Sequence, residues 1–178
     1  AATLRLISAS ATHVIDIHTT GAICEPHVFT HASGHARFAP LGATVHILWD
    51  EQTAVGTFDE SCVLPFRQSL HTRPIACTWE IFHHHTIDQT VLQDRLIKLL
   101  YWIDSVWSKQ VHTTSLPECF SISQAMHLTA PIAGYYTWHA KVGSTVGTGD
   151  TYASVTQPWS EKTTFVKATS TWKLLSIY

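Results

Sequence analysis

Asparagine occurs nowhere in the 178 residues, so the chain carries no acceptor for N-linked glycosylation. Charge is scarce as well: Asp, Glu, Lys and Arg together make up 13%, about half the roughly 25% typical of soluble domains. A surface covered instead by Thr, Ser, His and Gln repels its neighbours weakly, and a homo-oligomer is expected on that ground. The net charge of −2 leaves no basic footprint for a phosphate backbone, which excludes nucleic acid as the expected partner. No run approaches the ~18 apolar residues that span a bilayer, and "AATLRLISASATHV" has neither the basic segment nor the apolar stretch of a secretory leader. The expectation is a soluble, cytoplasmic protein with no membrane partner. CxxC pairs are missing too. Cys24, Cys62, Cys77 and Cys119 are dispersed, which favours buried thiols over the three pairings that four cysteines allow. GxGxxG and GxSxG are absent, and "TVGTGD" lacks the lysine and following helix of a phosphate loop.

What is present begins with length: 178 residues suit a single domain, 1–178, able to enclose a sizeable core from a 45% hydrophobic composition. Up to residue 86, β-branched and aromatic residues alternate in short runs broken by turn residues, the period of strands. "THVIDIH" sets Ile15 and Ile17 on one face and Asp16 and His18 on the other, and residues 43–58 read as a hairpin around the acidic turn "DEQT". The segment "TIDQTVLQDRLIKLLYWIDSVWSKQ" changes period. Leu92, Leu96, Leu99, Ile103 and Val106 form a helical stripe widened by Leu100 and Trp107, Asp88 or Thr86 can cap its start, and Asp94 and Lys98 form an i,i+4 pair. Strands resume after Pro117. In "GYYTWHAKV" one face carries Tyr136, Trp138, Ala140 and Val142. The predicted fold class is α+β, a curled and mostly antiparallel sheet packed around one long amphipathic helix. An all-β jelly roll with a helical insertion is the alternative.

Histidine dominates the candidate chemistry, with thirteen residues that titrate near pH 6.5. In "TWEIFHHHTID", alternation places His83 and His85 on the face of Cys77, Trp79 and Ile81, where the strand gives way to the helix. Two imidazoles extending an apolar face suggest a pocket mouth. His83 and His85 are the expected catalytic pair, with Asp16 and His18 beside them if "VIDIH" is the neighbouring strand. Trp79, Tyr136 and Trp138 are the expected ligand-binding residues, and the expected partner is an apolar or aromatic small molecule. Such a site could run dehydration, isomerisation or cyclisation without a cofactor, as a lyase or isomerase. Zinc is the cofactor alternative, held by Cys24, His27 and His31 in "ICEPHVFTHASGH". The same-face histidines of that stretch lie roughly 13 Å apart if extended, too far for ligands at ~2 Å. A self-assembling structural protein of capsid-like jelly-roll type is the alternative function.

Overall fold

The computed structural model describes residues 11–20, 23–49, 74–83, 88–110, 115–160 and 162–177. In chain order the strands are β1 (His13–Thr20), β2 (Ile23–Cys24), β3 (His27–Thr30), β4 (Val45–Leu48), β5 (Ile75–His83), β6 (Glu118–Ser121), β7 (Tyr135–Trp138), β8 (Thr145–Val146), β9 (Thr151–Thr156), β10 (Thr163–Lys167), β11 (Trp172–Lys173) and β12 (Ser176–Ile177). The α-helices are α1 (His35–Phe38), flanked by short 3₁₀ turns, and α2 (Gln89–Ser108). They group into two compact units, one of Ala1–Thr20 with Pro26–Ala125 and one of Gly21–Glu25 with Met126–Tyr178.

The first unit holds a five-stranded sheet of order β1-β5-β3-β4-β6. The pairs β1/β5, β3/β4 and β4/β6 are parallel, and only β3/β5 is antiparallel. This overturns the expected architecture of a mostly antiparallel sheet curled around one helix, and the jelly-roll alternative with it. Alternation along a strand reports which side chains share a face and is blind to strand direction, so the parallel pairing was not legible. Parallel neighbours need crossovers of a dozen or more residues. Residues 31–44 supply one between β3 and β4, and they carry the helical turns Ala32–Gly34, α1 and Ala39–Leu41 where the sequence suggests extended chain. Gly34 is required there, because a Cβ would collide with Thr30 Oγ1, whose hydroxyl donates to the Ala76 carbonyl at 2.8 Å. Of the predicted hairpin, Val45–Leu48 is β4, flanked by β3 and β6, and the returning half lies outside the described residues.

One face of this sheet packs Val28, Cys77, Trp79 and Ile81 against Phe38, Leu41 and Trp102. Asp88 caps α2, accepting from the Thr90 and Val91 backbone N–H groups at 2.7 and 3.3 Å, and Lys98 meets Asp94 at 2.8 Å. The helix follows the expected period but not the expected phase. Its buried residues are Trp102 and Ser105, and Leu99 and Val106 of the expected stripe pack against the same core, whereas Leu92, Leu96, Leu100, Ile103 and Trp107 are exposed. The helix is therefore not the pole around which a sheet curls. No helix among the described residues is long and apolar enough to cross a membrane.

His46 on β4 is fully buried on the helix side, with Nδ1 3.0 Å from Nδ1 of His35 on α1. One ring must donate and the other accept, so the pair needs a neutral imidazole. Burial first, and the neighbouring His35 second, lower the His46 pKa to about 3 from an ordinary 6.5. Because the folded state resists this proton and the unfolded chain takes it, stability is fully present above pH 6.5 and is lost as pH falls below it, the loss levelling off near pH 3. Between pH 7.5 and 5 this one residue is expected to cost about 2 kcal/mol of stability. Urea melts at the two pH values, with and without His46→Gln, measure it, and ring nitrogen shifts showing His46 titrating near 6.5 would refute it.

The second unit is built from antiparallel pairs: a three-stranded sheet β10-β9-β7 and the two-stranded β11-β8 and β12-β2. Tyr136, Trp138 and Ala140 share a face as the alternation predicts and pack against Val146, Tyr152, Ala153 and Ala168. The turn "GTGD" closes on itself, Asp150 accepting from the Gly147 N–H at 2.8 Å, with Gly149 at φ 89°, a left-handed conformation that glycine adopts without strain.

Candidate functional site

The sheet face opposite Trp79 carries the polar residues. Parallel pairing of β1 with β5 sets Asp16 beside Thr78 and His18 beside Glu80. Antiparallel pairing of β3 with β5 sets His27 on the far side of Glu80, so His18, Glu80 and His27 form a row across three strands. Register partners share a face. Strand alternation, which puts Asp16 with His18 and Thr78 with Glu80, then makes a square of four polar side chains on β1 and β5.

Contacts within the square are short. Asp16 Oδ2 lies 3.0 Å from His18 Nε2, and His18 Nδ1 lies 3.8 Å from Glu80 Oε1. The His18 ring is half-exposed while the two carboxylates are largely covered, which leaves the imidazole at the mouth and the acids behind it. Burial raises the Glu80 pKa above its ordinary value; His18 opposes this and Asp16 adds to it. Glu80 Oε2 and Thr78 Oγ1 are both buried without a hydrogen-bond partner among the described residues. A buried polar atom left unpaired costs about 1–3 kcal/mol, so two on adjacent same-face positions of one strand mark a place built for something else.

Of the expected site residues, Asp16 and His18 are together, because β1 does lie beside β5. His83 is the last residue of β5, in register with Thr20, and His85 lies outside the described residues. Trp79 is buried in the first unit's core on the face away from Glu80, whereas Tyr136 and Trp138 belong to the core of the second unit. Of the zinc alternative, Cys24 is on β2, His27 opens β3 and His31 follows it. Among the described residues no group of three His, Cys, Asp or Glu is arranged to hold a metal ion by itself. Glu80 and Thr78 were not expected. The available signal was a single carboxylate inside the otherwise uncharged strand "IACTWEIF".

No protein-family model and no curated protein matches the chain. Solved structures do. A Shewanella frigidimarina protein assigned as a succinylglutamate desuccinylase/aspartoacylase superposes with a TM-score of 0.82 at 16% identity, over 98% of this chain and 53% of that one. A succinylglutamate desuccinylase from Silicibacter gives 0.72 at 15% identity, over 97% and 55%. The ectoine utilization protein EutE from Ruegeria pomeroyi gives 0.66 at 16%, over 97% and 57%. This chain thus spans about half the length of those proteins, and over that half it has the succinylglutamate desuccinylase/aspartoacylase fold.

Proposed function

We propose that this chain carries the acid–base part of a site that hydrolyses the amide bond of an N-acyl amino acid. The single observation behind this is Glu80: a largely covered carboxylate with one buried, unpaired oxygen among the described residues, beside an imidazole that a second carboxylate orients. Such a carboxylate accepts a proton from water, and a buried base with a raised pKa is suited to returning it. Water adds to the acyl carbonyl as its proton passes to Glu80, and the carbonyl π pair moves to oxygen. Collapse then breaks the C–N bond, with the proton passing from Glu80 to the leaving amine. A carboxylic acid and an amine result.

The names of the solved neighbours support an N-acyl acidic amino acid as substrate class, in place of the apolar or aromatic molecule expected from the Trp and Tyr content. They favour hydrolysis over dehydration, isomerisation or cyclisation, although the same pair of groups could serve either. The capsid-like assembly loses its jelly-roll basis. Zinc is a second reading, since His18 offers a nitrogen and Asp16 or Glu80 an oxygen of the types zinc takes, and bound there it would polarise the carbonyl.

The test is release of free amine from N-succinyl and N-acetyl acidic amino acids by the purified protein, assayed with and without added zinc alongside elemental analysis. Release is expected, faster for acidic than for apolar side chains. No release from any of these amides between pH 6 and 9 in either condition would overturn the reading.

A further inference from the structure

Thr78 has no part in the reaction as derived, yet it is 5% exposed, its hydroxyl is unpaired among the described residues, and it lies two positions before Glu80 on the same face. Same-face neighbours along a strand are roughly 6.5–7 Å apart at their Cα atoms, a span that one atom bonded to both side chains closes. Two orphaned oxygens at that spacing, one from a hydroxyl and one from a carboxylate, are the partners a buried water requires. Asp16 is the register partner of Thr78 on β1.

We infer that Thr78 Oγ1 and Glu80 Oε2 hold one water between them, and that Thr78 is a positioning residue which orients it for attack. The chemistry follows from the lone pairs. The water donates one O–H to Glu80 Oε2 and the other to Thr78 Oγ1, leaving its own lone pairs directed away from the strand toward a bound carbonyl. Thr78 keeps its hydroxyl proton, and no bond of Thr78 breaks. Glu80 alone would fix the water by one contact and leave it free to turn. The role of Thr78 in turnover rests on the amide-hydrolysis reading; the water itself does not.

Thr78→Val keeps the shape and removes the hydroxyl, and Thr78→Ser keeps the hydroxyl. A crystal structure of the wild-type protein is expected to show an ordered water within about 3.2 Å of both oxygens, a hydrogen-bonding distance. It should be absent or displaced in Thr78→Val and retained in Thr78→Ser. In turnover, Thr78→Val is expected to lower kcat roughly 10- to 100-fold with KM within twofold, the mark of an interaction made in the transition state, while Thr78→Ser stays within a few-fold. Valine melting at or above the wild-type temperature would separate this loss from unfolding. No ordered atom touching both oxygens in the wild type, or a valine variant with unchanged kcat, would overturn the inference. A protein that shows the water but cleaves no amide would sink the proposed reaction and leave the water standing.

Discussion

Glu80→Gln is expected to lower amide hydrolysis by about 10²- to 10⁴-fold, the range a positioned general base contributes, while the fold survives intact. Glutamine matches the carboxylate in shape and cannot take the proton from water. Burial favours the neutral form of residue 80, since it raises the Glu80 pKa above 4.5 with Asp16 adding and His18 opposing. A carboxyl that binds its proton more tightly when folded contributes stability below the unfolded pKa and loses it as pH rises through the folded one. The neutral glutamine escapes that loss, so the variant should melt no lower than the wild type at pH 7.5. The same shift sets the pH profile. Only the ionised carboxylate can act as base, so the acid limb of kcat/KM should fall at a pH above the ordinary 4.5 and vanish from the residual activity of Glu80→Gln. An acid limb at or below 4.5, or a variant retaining a third of wild-type turnover, would remove Glu80 from the reaction.

How the site came to be half visible in the sequence is explained by β1 and β5. Alternation along "VIDIH" puts Asp16 and His18 on one face without any knowledge of the fold, and their 3.0 Å contact is between alternate positions of one strand. Glu80 is about 60 positions further on, and what brings it to His18 is the pairing of two strands separated by β3, β4 and their crossover. Nothing in the residues of either strand encodes that adjacency. Alternation along "CTWEIF" separates Glu80 from Trp79, and the continuation of the apolar side by His83 and His85 makes that side look like the functional one. In the fold that side is core, packed on Phe38 and Trp102, and the opposite side carries the unpaired polar atoms. The aromatic residues misled for a related reason. Trp79, Tyr136 and Trp138 suggest one lining, but a large apolar ring serves a core as readily as a pocket, and these serve two different cores.

Trp102→Ala is expected to destabilise the first unit by about 3–5 kcal/mol, the cost of deleting a buried aromatic side chain, whereas Trp107→Ala should change stability by less than about 0.5 kcal/mol. Five residues apart on α2, the two tryptophans report which face of the helix is buried. Trp102 stacks on Phe38 at 5.7 Å between ring centroids and meets His13 edge-on at 5.7 Å. Its indole N–H donates to the Arg37 carbonyl at 3.0 Å, so the deletion removes apolar contact and strands an acceptor together. Trp107 is 83% exposed. The apolar spacing of Leu92, Leu96, Leu99, Ile103 and Val106 predicts a buried stripe that Trp107 widens, and would rank the two substitutions nearer to each other. The packed face instead centres on Trp102 and Ser105, with Val91, Arg95 and Lys98 on one side and Leu99 and Val106 of the predicted stripe on the other, a rotation of somewhat under ~100° at 3.6 residues per turn. Periodicity gives the helix but not its phase when apolar residues occupy most of the circumference, as Leu92, Leu96, Ile97, Leu100, Tyr101 and Ile103 do here while remaining exposed. Of the polar members of the packed face, Lys98 buries its stem and carries its ammonium to Asp94 at 2.8 Å, while the largely covered Arg95 reaches the same carboxylate through one guanidinium nitrogen at 3.1 Å. Urea titrations of both alanine variants, with m-values to confirm a common transition, decide between the two phases; a Trp107→Ala loss equal to that of Trp102→Ala would restore the stripe that spacing alone predicts.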